Sequence, residues 1–98
     1  MNRITITDLQ LQVDRLNRLT GSPTERWQAE RRDDGGLASN PGHYMIGQAY
    51  GGCELQRICG EGGGASTPLN TGHIPKRELY EILHAFIAGI RTAQEDAK

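Results

Sequence analysis

The chain has 98 residues, 36% of them hydrophobic, and a formal net charge of −1. A balance this close to neutral argues against a protein that binds nucleic-acid polymers in general, since such proteins carry a basic surplus. The lean hydrophobic content indicates one small domain, residues 1–98, that shares part of its core in a homo-oligomer. No apolar run approaches the roughly 20 residues that span a bilayer, so we expect a cytoplasmic protein without a membrane partner.

A first helix is predicted over residues 7–20. Thr7 is the candidate N-cap, and Gln10 three residues later completes a capping-box pattern. Gly21 and Pro23 mark its end. Apolar residues recur with helical spacing and form one broad face, which consists of Leu9, Leu11, Val13, Leu16 and Leu19.

Residues 21–42 show no usable periodicity and are predicted to form a long loop, with one short helical turn over residues 24–32. Loops of this length are uncommon in compact domains and are often functional or mobile. A solvated connector is the favoured interpretation. Trp27 does not fit a solvated connector, because a tryptophan in a polar loop usually packs against other side chains.

A β-hairpin is predicted over residues 43–59, followed by a glycine-rich loop over residues 60–72. Two runs with partial apolar alternation flank the Gly51-Gly52 pair, which is a signal for a hairpin turn. The loop leaves room for a short third strand at residues 67–69.

A second helix is predicted over residues 75–92, with a polar tail at residues 93–98. Pro75 suits the first helical position, where a missing N–H leaves nothing unpaired. An amphipathic stripe follows, at Leu79, Leu83, Phe86, Ile87 and Ile90. The order helix, antiparallel hairpin, helix indicates an α+β fold with the helices on one face of a small sheet.

The two cysteines, Cys53 and Cys59, are predicted to be reduced, packed thiols. On one extended strand they would lie about 20 Å apart, which is too far for a disulfide. With the scattered histidines they match no common metal-ligand spacing, so neither a metal nor a cofactor is predicted.

Enzyme signatures are mostly missing, and the chain is predicted not to be an enzyme. The segment GEGGGAST at residues 60–67 has no lysine and does not run straight into a helix, so it does not fit a phosphate-binding P-loop. No nucleophile elbow occurs, and no pair of carboxylates stands at a useful spacing. The histidines lie on different elements and indicate no triad.

The glycine loop is one of two features that favour anion binding over catalysis. Backbone N–H groups at Gly60, Gly62, Gly63 and Gly64 could form a nest for phosphate oxygens. A flexible turn is an equally good interpretation of the same glycines.

The start of the second helix is the other feature. Lys76 and Arg77 occupy its first turn, where cations oppose the helix dipole at a cost of a few tenths of a kcal/mol each. A bound anion would offset the repulsion between these two cations and the positive end of the helix dipole. A solvated pair whose small cost is tolerated is an equally good interpretation. Arg57 is a third candidate phosphate partner, and Tyr50 offers a stacking face for a base.

The segments AYGGCEL, GEGGG and KRELYEILHAFIAGI, preceded by ITITDLQLQVDRLNRLTG and GHYMIGQAY, resemble the phage Thoeris anti-defence sponge family of the first type. The resemblance covers most of the chain apart from residues 24–40 and the tail. It implies a non-enzymatic protein that sequesters glycocyclic ADP-ribose made by bacterial TIR-domain immune enzymes. It also implies a helical N-terminal part that mediates dimerisation. Some members assemble as hexamers, trimers of dimers, and bind cyclic di- or trinucleotides at separate sites.

The resemblance also implies roles for individual residues. Tyr50 corresponds to an aromatic residue that stacks on the ligand, and Arg77 to an arginine that contacts phosphate. Gly60 departs from the family, which often has asparagine before Glu-Gly-Gly, so a side-chain hydrogen bond to the ligand would be lost or replaced by backbone. The serine expected near the start of the last helix is also absent, and the proline before Lys76 partly compensates.

We therefore expect a phage protein in the cytoplasm of the infected bacterial host that binds a cyclic nucleotide signal and leaves it intact. It would be a dimer at least, with Leu9, Val13 and Leu16 partly in the interface. The alternative is a protein that inhibits a host protein by direct contact, using Trp27 and its loop as a hot spot. An enzyme that degrades the same signals is the weakest alternative, since the sequence offers no convincing acid–base pair.

Overall fold

The computed structural model of the protein describes residues 3–31 and 37–96. Within these ranges the chain forms helices at both ends and short antiparallel strands between them, which confirms the predicted α+β fold. The helices are α1 (Ile6–Thr20) and α2 (Lys76–Asp96), and the strands are β1 (Trp27–Arg31), β2 (Leu37–Ser39), β3 (Tyr44–Ala49), β4 (Gly52–Ile58) and β5 (Ala65–Ser66).

Helix α1 begins earlier than the sequence pattern predicts. Thr5 is the N-cap: its hydroxyl accepts the Asp8 N–H at 3.3 Å, and the Asp8 carboxylate accepts the Thr5 N–H at 2.8 Å. The predicted capping box of Thr7 and Gln10 is wrong because the shorter aspartate side chain closes the same reciprocal box two residues upstream. Gly21 ends the helix in the left-handed conformation, with φ 70°, as predicted.

The core lies where α1 and α2 pack together over one face of the central hairpin. Its apolar side chains come from both helices and from β3 and β4: Leu9, Val13, Leu16, Tyr44, Cys53, Leu55, Leu79, Leu83 and Ile87. The prediction that Leu9, Val13 and Leu16 lie partly in a dimer interface is therefore wrong, since the chain buries all three within itself. Leu11, predicted on the same apolar face, is 61% exposed because it points away from the hairpin.

The segment predicted as a long loop at residues 21–42 contains a second, two-stranded sheet. Strand β1 pairs antiparallel with β2, and Trp27 lies opposite Ser39. The helical turn predicted over residues 24–32 is therefore wrong, because strand pairing overrides the weak local preference. Trp27 stays 46% exposed, and the Arg26 guanidinium lies 5.0 Å from its ring centroid.

The central sheet has the strand order β3-β4-β5 and is antiparallel throughout. Ala49 pairs with Gly52, so the turn consists of Tyr50 and Gly51 rather than the predicted Gly51-Gly52 pair. Both turn residues have positive φ, 53° and 75°, which is the pattern of a type I′ turn. The predicted hairpin at residues 43–59 is otherwise present.

The remaining differences concern the ends of elements. The third strand is Ala65–Ser66 rather than residues 67–69, and it follows β4 directly through the glycine loop. Helix α2 begins at Lys76, one residue after Pro75, and continues to Asp96, so much of the predicted tail is helical. Of the two free cysteines, Cys53 is buried as predicted, whereas Cys59 is exposed because it follows the last residue of β4.

Candidate functional site

The residues predicted to bind a ligand lie at two separate ends of β4. Tyr50 precedes the strand, and Lys76 and Arg77 follow the segment that pairs with Cys53 at its start. Arg57 lies near the other end, and the glycine loop follows that end. Cys53 and Cys59 are six positions apart, which corresponds to about 20 Å of extended strand. The structure therefore does not bring the glycine loop and the basic helix start into one pocket within a single chain.

The first group is the hairpin tip, which we define as Tyr50, Glu54, His73, Lys76 and Arg77. Tyr50 is 96% exposed, so nearly its whole side chain is presented to solvent. Its ring meets the His73 ring edge to face, with centroids 5.6 Å apart and planes at 73°. Both residues of the type I′ turn have positive φ. Gly51 adopts it without strain, whereas Tyr50 adopts it at some cost. The turn therefore fixes the backbone of an aromatic side chain that is otherwise free to receive a ligand.

Glu54 and His73 also belong to the hairpin tip, although no sequence motif pointed to them. His73 Nε2 lies 3.5 Å from Glu54 Oε1, and Gln56 Nε2 donates to the same oxygen at 3.0 Å. Glu54 is only 8% exposed, so this carboxylate is buried with two polar neighbours. Gly47 opposite Glu54 leaves room for the Gln56 side chain, which a Cβ on Gly47 would contact. The register of β3 and β4 is the sequence signal that could have identified Glu54, but the predicted position of the turn did not define that register.

The approach to α2 is fixed to the start of β4. Cys53 and Ile74 exchange two backbone hydrogen bonds, of 2.8 and 2.9 Å. Immediately afterwards Lys76 and Arg77 stand exposed in the first helical turn. The first N–H groups of a helix have no partner within it, so this end can receive an anion. The pairing of Cys53 with Ile74 thus holds Lys76 and Arg77 near the start of β4 and places His73 beside Tyr50.

Arg57, at the opposite end, has a structural role that the sequence did not reveal. Its Nε donates to the Gly42 carbonyl oxygen at 3.1 Å, and its guanidinium carbon lies 4.6 Å from the Tyr44 ring centroid. Because both the charge and one donor are engaged within the protein, Arg57 ties β4 to the chain before β3. We therefore give it no part in ligand binding at the hairpin tip.

The glycine loop is a compact connection between β4 and β5. Gly63 N–H donates to Gly60 O at 3.1 Å, and Cys59 N–H donates to Gly64 O at 2.8 Å. The loop also contacts the second sheet, because Ser39 N–H donates to Glu61 O at 3.1 Å. Gly63 has φ 92°, a conformation that requires glycine. These contacts favour the turn interpretation of the loop over the phosphate nest, since the Gly63 N–H is already used.

Among residues 3–31 and 37–96, no cluster of three or more His, Cys, Asp or Glu side chains could hold a metal ion. Neither of the two helices described has the length and apolar character needed to cross a membrane.

Comparison with known proteins identifies no relative. No family model, no curated protein and no solved structure matches the chain. What the fold and the site define is a small α+β protein with an exposed aromatic tip beside a basic helix start.

Proposed function

We propose that this protein binds a cyclic nucleotide signal at the hairpin tip and sequesters it without cleavage, in the cytoplasm of an infected bacterium. The ligand implied by the resemblance to the sponge family is glycocyclic ADP-ribose. The observation that carries the proposal is the position of Tyr50, 96% exposed and in ring contact with His73, at the end of β4 where α2 begins.

The aromatic pair supplies a surface for the base. An exposed ring that loses little freedom on binding can stack on a nucleobase, which contributes about 1–3 kcal/mol per base. His73 packs against the Tyr50 ring and is itself held beside Glu54, so the platform is partly preorganised. Preorganisation strengthens binding because fewer side chains must be ordered when the ligand arrives.

The basic helix start supplies charge for the phosphates. Lys76 and Arg77 are exposed in the first turn, where the positive end of the helix dipole adds to their own charge. A diphosphate at this turn would meet the positive charge of Lys76 and of the helix N-terminus. Base stacking and phosphate neutralisation would hold such a ligand without any bond being broken.

Binding and release of intact ligand test this proposal directly. Purified protein is titrated calorimetrically with glycocyclic ADP-ribose, and the complex is then heat-denatured and the ligand examined by chromatography. We expect stoichiometric binding and recovery of unchanged ligand. Absence of binding, or recovery of a cleaved product, would contradict the proposal.

Tyr50→Asn separates ligand binding from folding. Asparagine is favoured at positive φ in a type I′ turn, so the fold should be kept or slightly stabilised. Loss of the stacking face should weaken affinity by about tenfold or more. Lys76→Gln should also weaken binding, whereas Arg91→Gln, which removes a charge from the exposed distal part of α2, should not. Equal effects of Lys76→Gln and Arg91→Gln would mean that only the overall charge matters.

A second candidate is the inhibition of a host protein by direct contact. It is favoured by Trp27, whose 46% exposed ring is flanked by the Arg26 guanidinium, since Trp and Arg are enriched in interface hot spots. Trp27→Ala would then abolish capture of a stoichiometric host partner while Tyr50→Asn would not. If the nucleotide proposal is correct, Tyr50→Asn should weaken ligand binding and Trp27→Ala should leave it unchanged.

We also propose that the protein is at least a homodimer, through the outer stripe of α1. This stripe is Asp8, Leu11, Gln12 and Arg15, beside a groove of about 240 Å³ that reaches Tyr80 and His84 on α2. Leu11 is 61% exposed, so this stripe presents an apolar side chain to solvent. In an antiparallel pair of α1 helices, Asp8 of each chain would face Arg15 of the other with Leu11 at the centre.

A further inference from the structure

A cavity of about 370 Å³ opens between α1, residues 24–26 and the first half of β3. It lies at the end of β3 that is remote from Tyr50, so it is separate from the hairpin tip. Its volume falls at the small end of the range for small-molecule sites, roughly 300–1,000 Å³. Nothing in the proposed binding of a nucleotide uses it.

His43 is the buried polar group in the cavity wall. It is 8% exposed, and its Nδ1 lies 2.8 Å from the Pro23 carbonyl oxygen. A carbonyl oxygen only accepts, so Nδ1–H is the donor of this contact, and Asn17 Nδ2 also lies 3.4 Å from Nδ1. The backbone of His43 is fixed by hydrogen bonds to Asn40 and Ile58, of 3.2 and 3.0 Å. The cavity is therefore lined by a histidine whose backbone and Nδ1 are both held in place by the rest of the protein.

The rim of the cavity has more negative than positive charge. Asp14 and Glu25 contribute carboxylates, and Arg26 contributes the one guanidinium of the lining. Arg26 is placed over the Trp27 ring, with 5.0 Å from its guanidinium carbon to the ring centroid. The carboxylates of the lining therefore outnumber its guanidinium, and the rim carries a net negative charge that favours a cation.

The inner wall is apolar. Val13 is 4% exposed and packs in the main core, and Ile46 lines the cavity from β3. A ligand that fits this wall and this rim has a short aliphatic body and a charged end with several N–H donors. An ammonium group satisfies the second requirement, because it has three donors and no acceptor.

We propose that this cavity binds a small aliphatic amine of the diamine or polyamine class. One ammonium group donates to the carboxylates of Asp14 and Glu25 and to Nε2 of His43. The methylene chain lies against Val13 and Ile46. The site binds a cation, in contrast to the anion proposed at the hairpin tip, so the two can be occupied together and fail independently.

The test uses putrescine as the probe and the full chain. We expect calorimetric binding with a Kd of roughly 0.1–1 mM, the strength of a few polar contacts with little buried area. The ¹⁵N resonance of His43 Nε2 should move on saturation, because a new donor contacts its lone pair, while those of His73 and His84 should stay in place. A purely structural His43 would not show this response.

Charge-matched variants define the site. Asp14→Asn combined with Glu25→Gln should weaken putrescine binding by roughly tenfold. Glu81→Gln combined with Glu95→Gln removes the same charge from the exposed face of α2 and should leave it unchanged. Circular dichroism and urea denaturation check that each variant is folded.

Three results would overturn the proposal. The first is no heat and no His43 shift at millimolar putrescine. The second is equal weakening by both double variants, which would indicate attraction to overall charge only. The third is a His43 shift produced by acetate or AMP but not by putrescine, which would assign the cavity to an anion held by Arg26.

Discussion

Gly52 is the residue at which the hairpin and the start of α2 come closest. A Cβ placed on it would lie 2.8 Å from the carbonyl carbon of His73 and 2.9 Å from the nitrogen of Ile74. These are backbone atoms, which cannot move aside as the end of a flexible side chain can. The absence of a side chain at Gly52 therefore lets the segment before α2 pair with β4 and places His73 beside Tyr50.

Gly52→Ala should destabilise the protein by about 2 kcal/mol, because the new methyl group forces the two backbone segments apart. Gly89→Ala is the matched control: nothing lies within 4 Å of a Cβ at this helical position. It should stabilise the protein by about 0.5–1 kcal/mol through helix propensity. Urea denaturation measures both, and an equal loss in the two variants would contradict the close approach at Gly52.

Thr5 and Thr7 provide a direct test of where α1 begins. Thr5→Ala removes the hydroxyl that accepts the Asp8 N–H and should cost about 1 kcal/mol of unfolding free energy. Thr7→Ala lies inside the first turn and should change stability by less than about 0.5 kcal/mol. If Thr7→Ala were the more damaging substitution, the helix would begin at the position that the sequence pattern indicates.

At the scale of elements, β3 is an edge strand and α1 protects that edge. Asn17, fully buried on α1, accepts the Tyr44 N–H on Oδ1 at 2.8 Å and donates from Nδ2 to Tyr44 O at 3.1 Å. One amide side chain thus takes the place of a neighbouring strand. Edge strands with unpaired N–H and C=O groups are templates for aggregation, so the contact protects as well as stabilises.

Asn17→Ala should destabilise the protein by about 2–4 kcal/mol, since it leaves a cavity and two unpaired backbone groups of Tyr44. Amide hydrogen exchange should be faster at Tyr44 in particular. Asn40→Ala serves as the control, because Asn40 also bonds carbonyl oxygens, those of Glu25 and Trp27, but is not fully buried. Comparable losses from both would show that Asn17 has no special role at the edge.

The sequence predicted the helices and the central hairpin because their signals are local. Helical spacing, Gly21 and the glycine pair near the turn each act within a few positions, although the pair placed the turn one residue too late. The second sheet was missed because the polar residues around Trp27 show no alternation, although Asp34-Gly35 between the two strands is a hairpin signal. The contacts of Arg57 with Gly42 and Tyr44 were not foreseen for a different reason: they depend on the hairpin register, and moving the turn by one residue shifts each cross-strand partner by two positions.

At the scale of the whole molecule, the candidate ligand residues divide between two ends of the central sheet. The hairpin tip combines Tyr50 with the start of α2, whereas Gly60–Gly64 and Arg57 lie beyond the other end of β4. Chain order places Tyr50 before β4 and the glycine loop after it, but the sequence could not show that the start of α2 returns to the Tyr50 end, because that position depends on the pairing of Ile74 with Cys53. In the part of the chain that the structure describes, the hairpin tip is therefore the candidate nucleotide surface, and a contribution of the glycine loop to it requires a second chain.

The proposed dimer makes a prediction at the same scale. Leu11→Lys places a charge at the centre of the outer stripe of α1, where it would meet its own symmetry mate. We expect light scattering at micromolar concentration to show a dimer for the unsubstituted protein and a monomer for Leu11→Lys. Because Leu11 is 61% exposed, the monomer should remain folded.

Gln10→Lys is the control for this experiment, since it adds the same charge to an exposed position of α1 that lies outside the stripe. It should leave the dimer intact. Dissociation by both variants would indicate general repulsion between chains, and a dimer that survives Leu11→Lys would place the interface elsewhere. Nucleotide titration of the Leu11→Lys monomer then decides whether the hairpin tip binds alone, as a site contained in one chain should, or needs the glycine loop of a second chain.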